Sequence, residues 1–219
     1  MNRRIIAGPL QRLRRGHAFP EEQGFSLVEV LVSIVVLSFG MLGVVGLQAY
    51  SIQANRDARV QAQAANLARE LAEMIRGNKV VGAKTTTADN PYLGDFSGSM
   101  SSAPSEYCLA VSNASTGCST AKAVASAEMT EWLARVRAEL PGARVVVCFD
   151  NAPYDSNGKG EWDCPTAASN GIAVIKMGWT RNSTNRVATG QGVLEMATGD
   201  GSAPALIFPV TSGNSQGDT

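Results

Sequence analysis

The side chains that could do chemistry in this sequence are one histidine, four cysteines and a glutamate inside an apolar run. His17 is the single imidazole in 219 residues, and it lies within the first two dozen. If that stretch is removed, the mature protein can form neither a Ser-His-Asp triad nor a histidine-ligated metal site. The sequence therefore argues against the commonest hydrolytic enzymes, and we predict that the protein is not an enzyme.

Two further features could be taken for metal sites. The segment 155–161 (DSNGKGE) has a faint likeness to a calcium loop, but Lys159 stands where such loops use an oxygen ligand, and the twelfth position is Thr166. A hairpin turn is the favoured interpretation. The four cysteines contain no C-x-x-C pair, which argues against a zinc site. We predict no metal and no cofactor.

Charge is unevenly distributed along the chain. Nineteen Lys and Arg balance nineteen Asp and Glu, so the basic surplus of a general nucleic-acid binder is missing, and we predict no nucleic-acid partner. Residues 1–24 nevertheless hold five arginines and two glutamates, whereas residues 25–47 (FSLVEVLVSIVVLSFGMLGVVGL) hold a single charge, Glu29. A helix over 25–47 covers roughly 34 Å, enough for a hydrocarbon core of about 30 Å. Because the arginines precede the span, the N-terminus is expected in the cytoplasm and the chain after residue 50 across the membrane.

Three interpretations of the segment 25–47 compete. A cleaved secretory signal would have a shorter apolar stretch and a small-x-small site after it. A plain membrane anchor accounts for the length and the arginines but not for Glu29, since a carboxylate in a membrane helix is costly and usually has a task or a partner. The third interpretation uses residues 24–29 (GFSLVE), which resemble the signature of type IV prepilins, the precursors of type IV pilins and type II secretion pseudopilins.

This resemblance implies processing before function. Members of the family are cut after the glycine by a membrane aspartyl peptidase, the prepilin peptidase, which also methylates the new N-terminus. Carried over, residues 1–24 are a basic leader cleaved between Gly24 and Phe25, and Phe25 becomes N-methylphenylalanine. A glycine before the scissile bond fits an extended protease groove and interrupts any helix that enters the span.

Glu29 is the residue that we expect to act in assembly. It lies one helical turn beyond Phe25, and a partner that neutralises it would offset its cost in an apolar environment. In an assembling filament the expected partner is a free N-terminal amine, either its own or that of the neighbouring subunit. The alternative is a carboxylate near the membrane interface that only reaches to water.

The cysteines are expected on the oxidising side of the membrane, where disulfides are the simpler interpretation. Four cysteines permit three connectivities, and the sequence does not decide among them. Proximity in the chain favours Cys108–Cys118 and Cys148–Cys164.

The apolar pattern continues beyond the membrane span. From residue 48 the sequence is polar but keeps apolar residues at spacings of four and three, so 48–78 is predicted to be the amphipathic half of one helix over 25–76. This stripe consists of Val60, Ala64, Leu67, Leu71 and Met74. Gly77-Asn78 is a stop signal. Glycines at 40, 43 and 46 indicate either close helix packing or a stretch that can unwind.

Residues 79–219 are predicted to form a globular head. The stretch 82–120 is loop-rich, and a second helix over 120–140 buries a stripe of Met129, Trp132, Leu133, Val136 and Leu140 and ends at Pro141-Gly142. Strands are predicted over 143–150, 171–181, 192–198 and 205–210. In the second strand, Ala173, Ile175, Met177 and Trp179 share one face. Short turns such as 182–185 indicate hairpins and an antiparallel sheet, and 211–219 is expected to be a mobile tail.

The predicted fold class is therefore α+β. The resemblance implies the type IV pilin fold, in which a long N-terminal helix, its apolar half spanning the membrane, packs against an antiparallel β-sheet head with a second short helix. The run from Trp132 to Leu140-Pro141-Gly142, the strand ending in Trp179 and the segment 39–48 (FGMLGVVGLQ) are similar to minor pilins of the PilV type, the type IV pilus modification proteins.

The resemblance further implies a minor pilin subunit that takes part in type IV pilus assembly, in an initiating or tip complex. Its partners would be other minor pilins, the major pilin, the prepilin peptidase and the inner-membrane assembly platform. The head would be periplasmic before assembly and part of the extracellular pilus afterwards. The alternatives are a type II secretion pseudopilin, or a head that acts as a pilus-tip adhesin or DNA-uptake module.

Overall fold

The computed structural model describes residues 24–98, 100, 108–113, 115–164, 171–183, 187–199 and 201–211. The predicted leader up to residue 23 and the predicted tail beyond Thr211 lie outside these ranges. The chain divides into two compact units, Met1–Tyr50 and Ser51–Thr219. We call the second unit the head.

The first element is the helix α1, Leu27–Gly77, 51 residues long. The backbone N–H of Val30 donates to the oxygen of Ser26 at 3.3 Å, which closes the first turn. Glu29 in the first turn and Arg76 in the last complement the helix dipole. The predicted helix over 25–76 is therefore nearly correct in its bounds.

The head portion of α1 buries one face. Its buried side chains repeat at helical spacing, and Val60 and Met74 pack half-buried at the ends of the row. The predicted stripe is confirmed, and it is wider than predicted because alanines and an isoleucine join it. The buried residues are Ala64, Leu67, Ala68, Leu71, Ala72 and Ile75. The stop at Gly77 is also correct, although a one-turn helix, α2 (Lys79–Gly82), follows at once.

The helix α3, Ala121–Glu139, matches the predicted second helix. Thr120 caps it, because its Oγ1 accepts a hydrogen bond from the N–H of Ala123 at 3.1 Å. All five residues of the predicted stripe are buried. The chain then turns at Gly142, whose φ is +59°, and a Cβ there would collide with Oγ1 of Thr180. A glycine is thus required between α3 and the sheet.

The main sheet is antiparallel, as predicted. It consists of β1 (Gly94–Phe96), β2 (Arg144–Asp150), β3 (Ile172–Gly178) and β6 (Leu206–Val210), in that spatial order among the described residues. Val147 lies opposite Ile175, which lies opposite Phe208. A separate small sheet pairs β4 (Arg181–Asn182) with β5 (Leu194–Glu195).

Two strand predictions need correction, and one short strand was not predicted. The strand predicted over 171–181 ends at Gly178, and the one predicted over 192–198 keeps two residues, Leu194–Glu195, which pair outside the main sheet. A 3-10 turn, Gly190–Val193, takes up the first two residues of the strand predicted over 192–198. Strand β1 was not predicted, because three residues inside the stretch 82–120 are too short to show a period.

The core lies between α1, α3 and one face of the main sheet. Ala173, Ile175 and Met177 point into it from β3, which confirms the predicted alternation. Trp132 is fully buried at its centre, and its Nε1–H donates to the backbone oxygen of Leu67 at 3.0 Å. The predicted α+β layout, with a long N-terminal helix, an antiparallel sheet and further helices, is confirmed.

Candidate functional site

The predicted cleavage site lies immediately before α1. Gly24, Phe25 and Ser26 are not helical, and the Phe25 side chain is 83% exposed. A Cβ added to Gly24 would meet no atom of the described residues within 4 Å. Packing within the described part of the chain therefore does not require glycine at position 24, and a requirement for it would come from a processing enzyme.

Glu29 lies in the first turn of α1, four residues beyond Phe25. Its backbone N–H donates to the oxygen of Ser26 at 3.0 Å, and its side chain is exposed. Among the described residues its carboxylate has no ion-pair partner. The residue is thus a carboxylate held next to the predicted new N-terminus and available to an external cation.

Around Glu29 the helix is apolar on all sides. We call the large apolar side chains between Phe25 and Tyr50 the apolar helix surface. All are exposed in the single chain, from 44% at Val35 to 83% at Phe25 and Leu27. The hydroxyl groups of Ser33 and Ser38 donate hydrogen bonds to the backbone oxygens of Glu29 and Ile34, respectively, each at 2.7 Å. Among the described residues, α1 is the one helix long and apolar enough to cross a membrane. A continuous exposed apolar surface marks contact with lipid or with other proteins, so it indicates membrane anchoring.

The glycines at 40, 43 and 46 do not interrupt α1 in the structure. A Cβ added at any of them would meet no atom of the described residues within 4 Å. Because these positions carry no side chain, the backbone of another helix could approach the apolar helix surface closely there. Unwinding at these positions remains a prediction.

The structure joins Cys108 to Cys118 and Cys148 to Cys164, so all four cysteines are in disulfides. These are the pairs that proximity in the chain favours. The sulfurs of Cys148 and Cys164 lie near the carboxylate of Asp150, close enough together to suggest a metal site. Because the sulfurs are bonded to each other, they offer no thiolate to a metal.

The segment 155–161 forms a tight turn. Tyr154 and Gly160 pair as an antiparallel bridge, and Oδ1 of Asp155 accepts hydrogen bonds from the backbone N–H groups of Asn157 and Lys159, both at 2.8 Å. The bond from Lys159 is the main reason that the pKa of Asp155 lies below its usual value. The carboxylate therefore orders the turn from within.

Sequence reasoning missed a buried charged pair on the other face of β3. The Lys176 side chain is fully buried, with Nζ 2.6 Å from Oδ2 of Asp150, which is also fully buried. The signal in the sequence is a lysine inside an apolar strand (IAVIKMG). Trp162 helps to cover this face, since a Cβ on Gly178 would lie 2.9 Å from its ring.

A second missed contact lies in the stretch assigned to loops. Tyr92 is fully buried, and its hydroxyl donates to Oε2 of Glu128 on α3. Burial, assisted by the neighbouring carboxylate, raises the pKa of Tyr92 well above its usual value. This contact fixes the end of the irregular stretch 83–93 against α3.

The head also has an open groove of about 660 Å³, on the side of the small sheet. Trp179 lines the groove, and the charged side chains of the groove form contacts within the chain. Arg181 pairs with Glu195 at 2.8 Å, and Nζ of Lys159 donates to the oxygen of Gly201 at 3.0 Å. The groove therefore shows no free charge, among the described residues, that would select a charged ligand.

Comparison with known proteins agrees with this geometry at the N-terminus. Residues 21–45 match the family model described as the prokaryotic N-terminal methylation motif. No curated protein and no solved structure matches the chain at a significant level. The match, with the α+β layout above, supports a type IV prepilin-like protein, either pilin-like or a pseudopilin, of a group whose members are generally structural. The matched segment includes Gly24, Phe25 and Glu29.

Proposed function

We propose that this chain is a minor pilin subunit that takes part in assembling a type IV pilus, within an initiating or tip complex. The observation that carries the proposal is Glu29, the one charge in the span 25–47, which lies inside the methylation motif, four residues from Phe25. Its side chain is exposed and has no ion-pair partner in the part of the chain that the structure describes. A membrane anchor without assembly has no use for this carboxylate, whose insertion is costly.

The mechanism begins with removal of the leader between Gly24 and Phe25 and methylation of Phe25. The apolar helix surface then holds the subunit in the inner membrane, with the head in the periplasm. On assembly, the same surface leaves lipid for the apolar interior of a filament formed with other minor pilins and the major pilin. The hydrophobic free energy is similar in both environments, so the transfer needs little net driving force from burial.

In this mechanism Glu29 selects the register of assembly. Aliphatic side chains distinguish poorly between neighbouring alignments of two helices, whereas a carboxylate in an apolar medium strongly favours the one alignment that gives it a cation. In that alignment the cation is the N-terminal amine of Phe25, either in the same subunit as Glu29 or in a neighbouring subunit.

The test replaces Glu29 and follows three steps separately. Glu29→Ala and the isosteric Glu29→Gln should still insert into the membrane and be cleaved, but the amount recovered in sheared filaments should fall several-fold. Ser38→Ala, which removes another polar group of the same helix, should assemble like the parent. If both Glu29 variants enter filaments as efficiently as the parent, the pairing role is wrong.

A type II secretion pseudopilin is the second candidate, because the methylation motif is shared by both kinds of protein. Deleting the gene in its own host separates them. Loss of surface pili with normal secretion supports the minor pilin, and blocked secretion with normal piliation supports the pseudopilin. An adhesin or DNA-uptake role for the head would appear as normal pili that no longer bind their surface or DNA.

A further inference from the structure

A lysine and a carboxylate meet in the interior of the head on the face of the main sheet opposite the core. Lys176 lies in β3 and Asp150 is the last residue of β2, and the two strands are adjacent and antiparallel. Val146 is opposite Lys176, so Asp150 is four residues further along β2 on the same face. The lysine side chain runs along the strand to reach the carboxylate, and both side chains are fully buried.

The contact between them does not have the geometry of a hydrogen bond. Nζ of Lys176 is 2.6 Å from Oδ2 of Asp150, yet Oδ2 accepts no hydrogen bond from any described residue. The neighbouring atoms are satisfied. Nζ donates to the backbone oxygen of Asp163 at 2.7 Å, and Oδ1 accepts from the N–H of Ala152 at 2.8 Å. One buried carboxylate oxygen is thus left unsatisfied beside an amine, a rare and costly arrangement.

We propose that Lys176 and Asp150 become joined by an amide bond between Nζ and Cγ, with Oδ2 released as water. A proton first passes from the ammonium group to the carboxylate, which frees the nitrogen lone pair and gives a carboxylic acid. The nitrogen lone pair then attacks Cγ, a second proton moves from nitrogen to Oδ2, and the C–Oδ2 bond breaks. Nothing is oxidised or reduced, and no co-reactant is needed.

The distances suit this reaction. A C–O bond adds at most about 1.2 Å to the Nζ–Oδ2 separation of 2.6 Å, so Nζ lies within about 3.8 Å of Cγ. Reacting atoms in near-attack arrangements are about 3–3.5 Å apart, so a small movement of the lysine side chain is sufficient.

The product would satisfy every polar atom of the pair. The remaining N–H of the amide keeps the oxygen of Asp163, and Oδ1 keeps the N–H of Ala152. The unsatisfied oxygen departs, and two buried charges disappear, which removes their desolvation cost. The bond would tie β2 to β3 close to where the disulfide Cys148–Cys164 ties the following loop to β2.

The test is peptide mapping of the full mature chain, purified in detergent, reduced, alkylated and digested with trypsin. Without the bond, trypsin releases the peptides 145–159 and 160–176 separately. With it, 145–159 is joined to 160–181, because trypsin does not cut after a modified lysine, and the branched product is lighter by about 18 Da, one water. We expect the branched product in most molecules.

Two variants serve as controls. Lys176→Arg keeps the charge but not the nucleophile, since a guanidinium group stays protonated, so it should yield no branched product. Asp150→Asn should give the same branched peptide with loss of ammonia instead of water. Recovery of the two separate peptides from the parent overturns the proposal, as does a water loss located elsewhere in the chain.

Discussion

The two portions of α1 have the same helical backbone conformation, but the head portion buries side chains and the N-terminal portion exposes them. Leu31 is 58% exposed and Leu71 is fully buried, although both lie in the same continuous helix. The portion in the head is amphipathic and buries a single face against α3 and the main sheet. The portion before residue 50 is apolar on every face, and none of the stretch suited to a membrane is buried.

The difference shows that a segment of this chain can be helical whether or not its side chains are buried by the rest of the chain. Backbone hydrogen bonds form equally well in both portions, whereas the hydrophobic effect requires a second surface. The head portion finds that surface within the chain. The N-terminal portion has no such surface among the described residues, so its side chains indicate membrane anchoring and contribute little to folding of the head.

The largest effect is expected where the leader meets this N-terminal portion. Gly24→Val should leave the precursor uncut, because the peptidase groove must accept a residue without a side chain. Mass spectrometry of the parent should show N-methyl-Phe25 at the N-terminus. Gly77→Ala adds a methyl group that meets no atom within 4 Å, and it should be processed normally. A parent that begins at Met1, or downstream of Leu47, would contradict the prepilin interpretation.

A matched leucine pair tests the comparison directly. Leu71→Ala should lower the free energy of unfolding of the head by about 2–5 kcal/mol, because it leaves a cavity in the core. Leu31→Ala should change it by less than about 0.5 kcal/mol, because Leu31 is 58% exposed among the described residues. Urea unfolding in detergent, followed by tryptophan fluorescence, measures both. Equal losses would show that the two portions do not differ as described.

The disulfides should matter in the head and not in the N-terminal portion. Replacing either pair by serine should cost about 3 kcal/mol by the chain-entropy estimate, since the loops span 10 and 16 residues. Membrane insertion should be unaffected. Peptide mapping without reduction checks the pairing first, and four free thiols, or Cys118 joined to Cys148, would refute it.

A smaller effect is expected at Tyr92. Its pKa is raised in the folded head, so its contribution to stability is complete below the ordinary tyrosine pKa of about 10 and is lost as the pH rises above it. Tyr92→Phe should cost about 1 kcal/mol at neutral pH, through the lost hydrogen bond to Glu128, and should weaken the alkaline loss of stability. The measurement is urea unfolding between pH 7 and 11. An unchanged alkaline loss would show that other groups cause it.

Much of the fold could be predicted because its signals are periodic and local. An apolar pattern repeats over several turns or residues in the long helix, in the core stripe around Trp132 and in β3. Such a pattern can be read from the sequence without knowledge of the tertiary contacts. Gly24, Phe25 and Glu29 could likewise be proposed as site residues from their spacing at the start of the apolar run, and they lie in the segment that matches the methylation motif. The chemistry proposed for them depends on neighbours in the chain and on an apolar span, and the sequence shows both.

What only the tertiary structure decided depends on residues far apart in the chain. Strand β1 exists because β2 offers it a partner, and Leu194–Glu195 lies outside the main sheet, where it pairs with Arg181–Asn182. Lys176 and Asp150 are 26 positions apart in the printed sequence, and nothing local marks them as a pair. A buried charge is tolerated where an oppositely charged group contacts it, even if that group is far away in the sequence. The antiparallel register of β2 and β3 brings Lys176 and Asp150 together, and this register exists only in the folded chain.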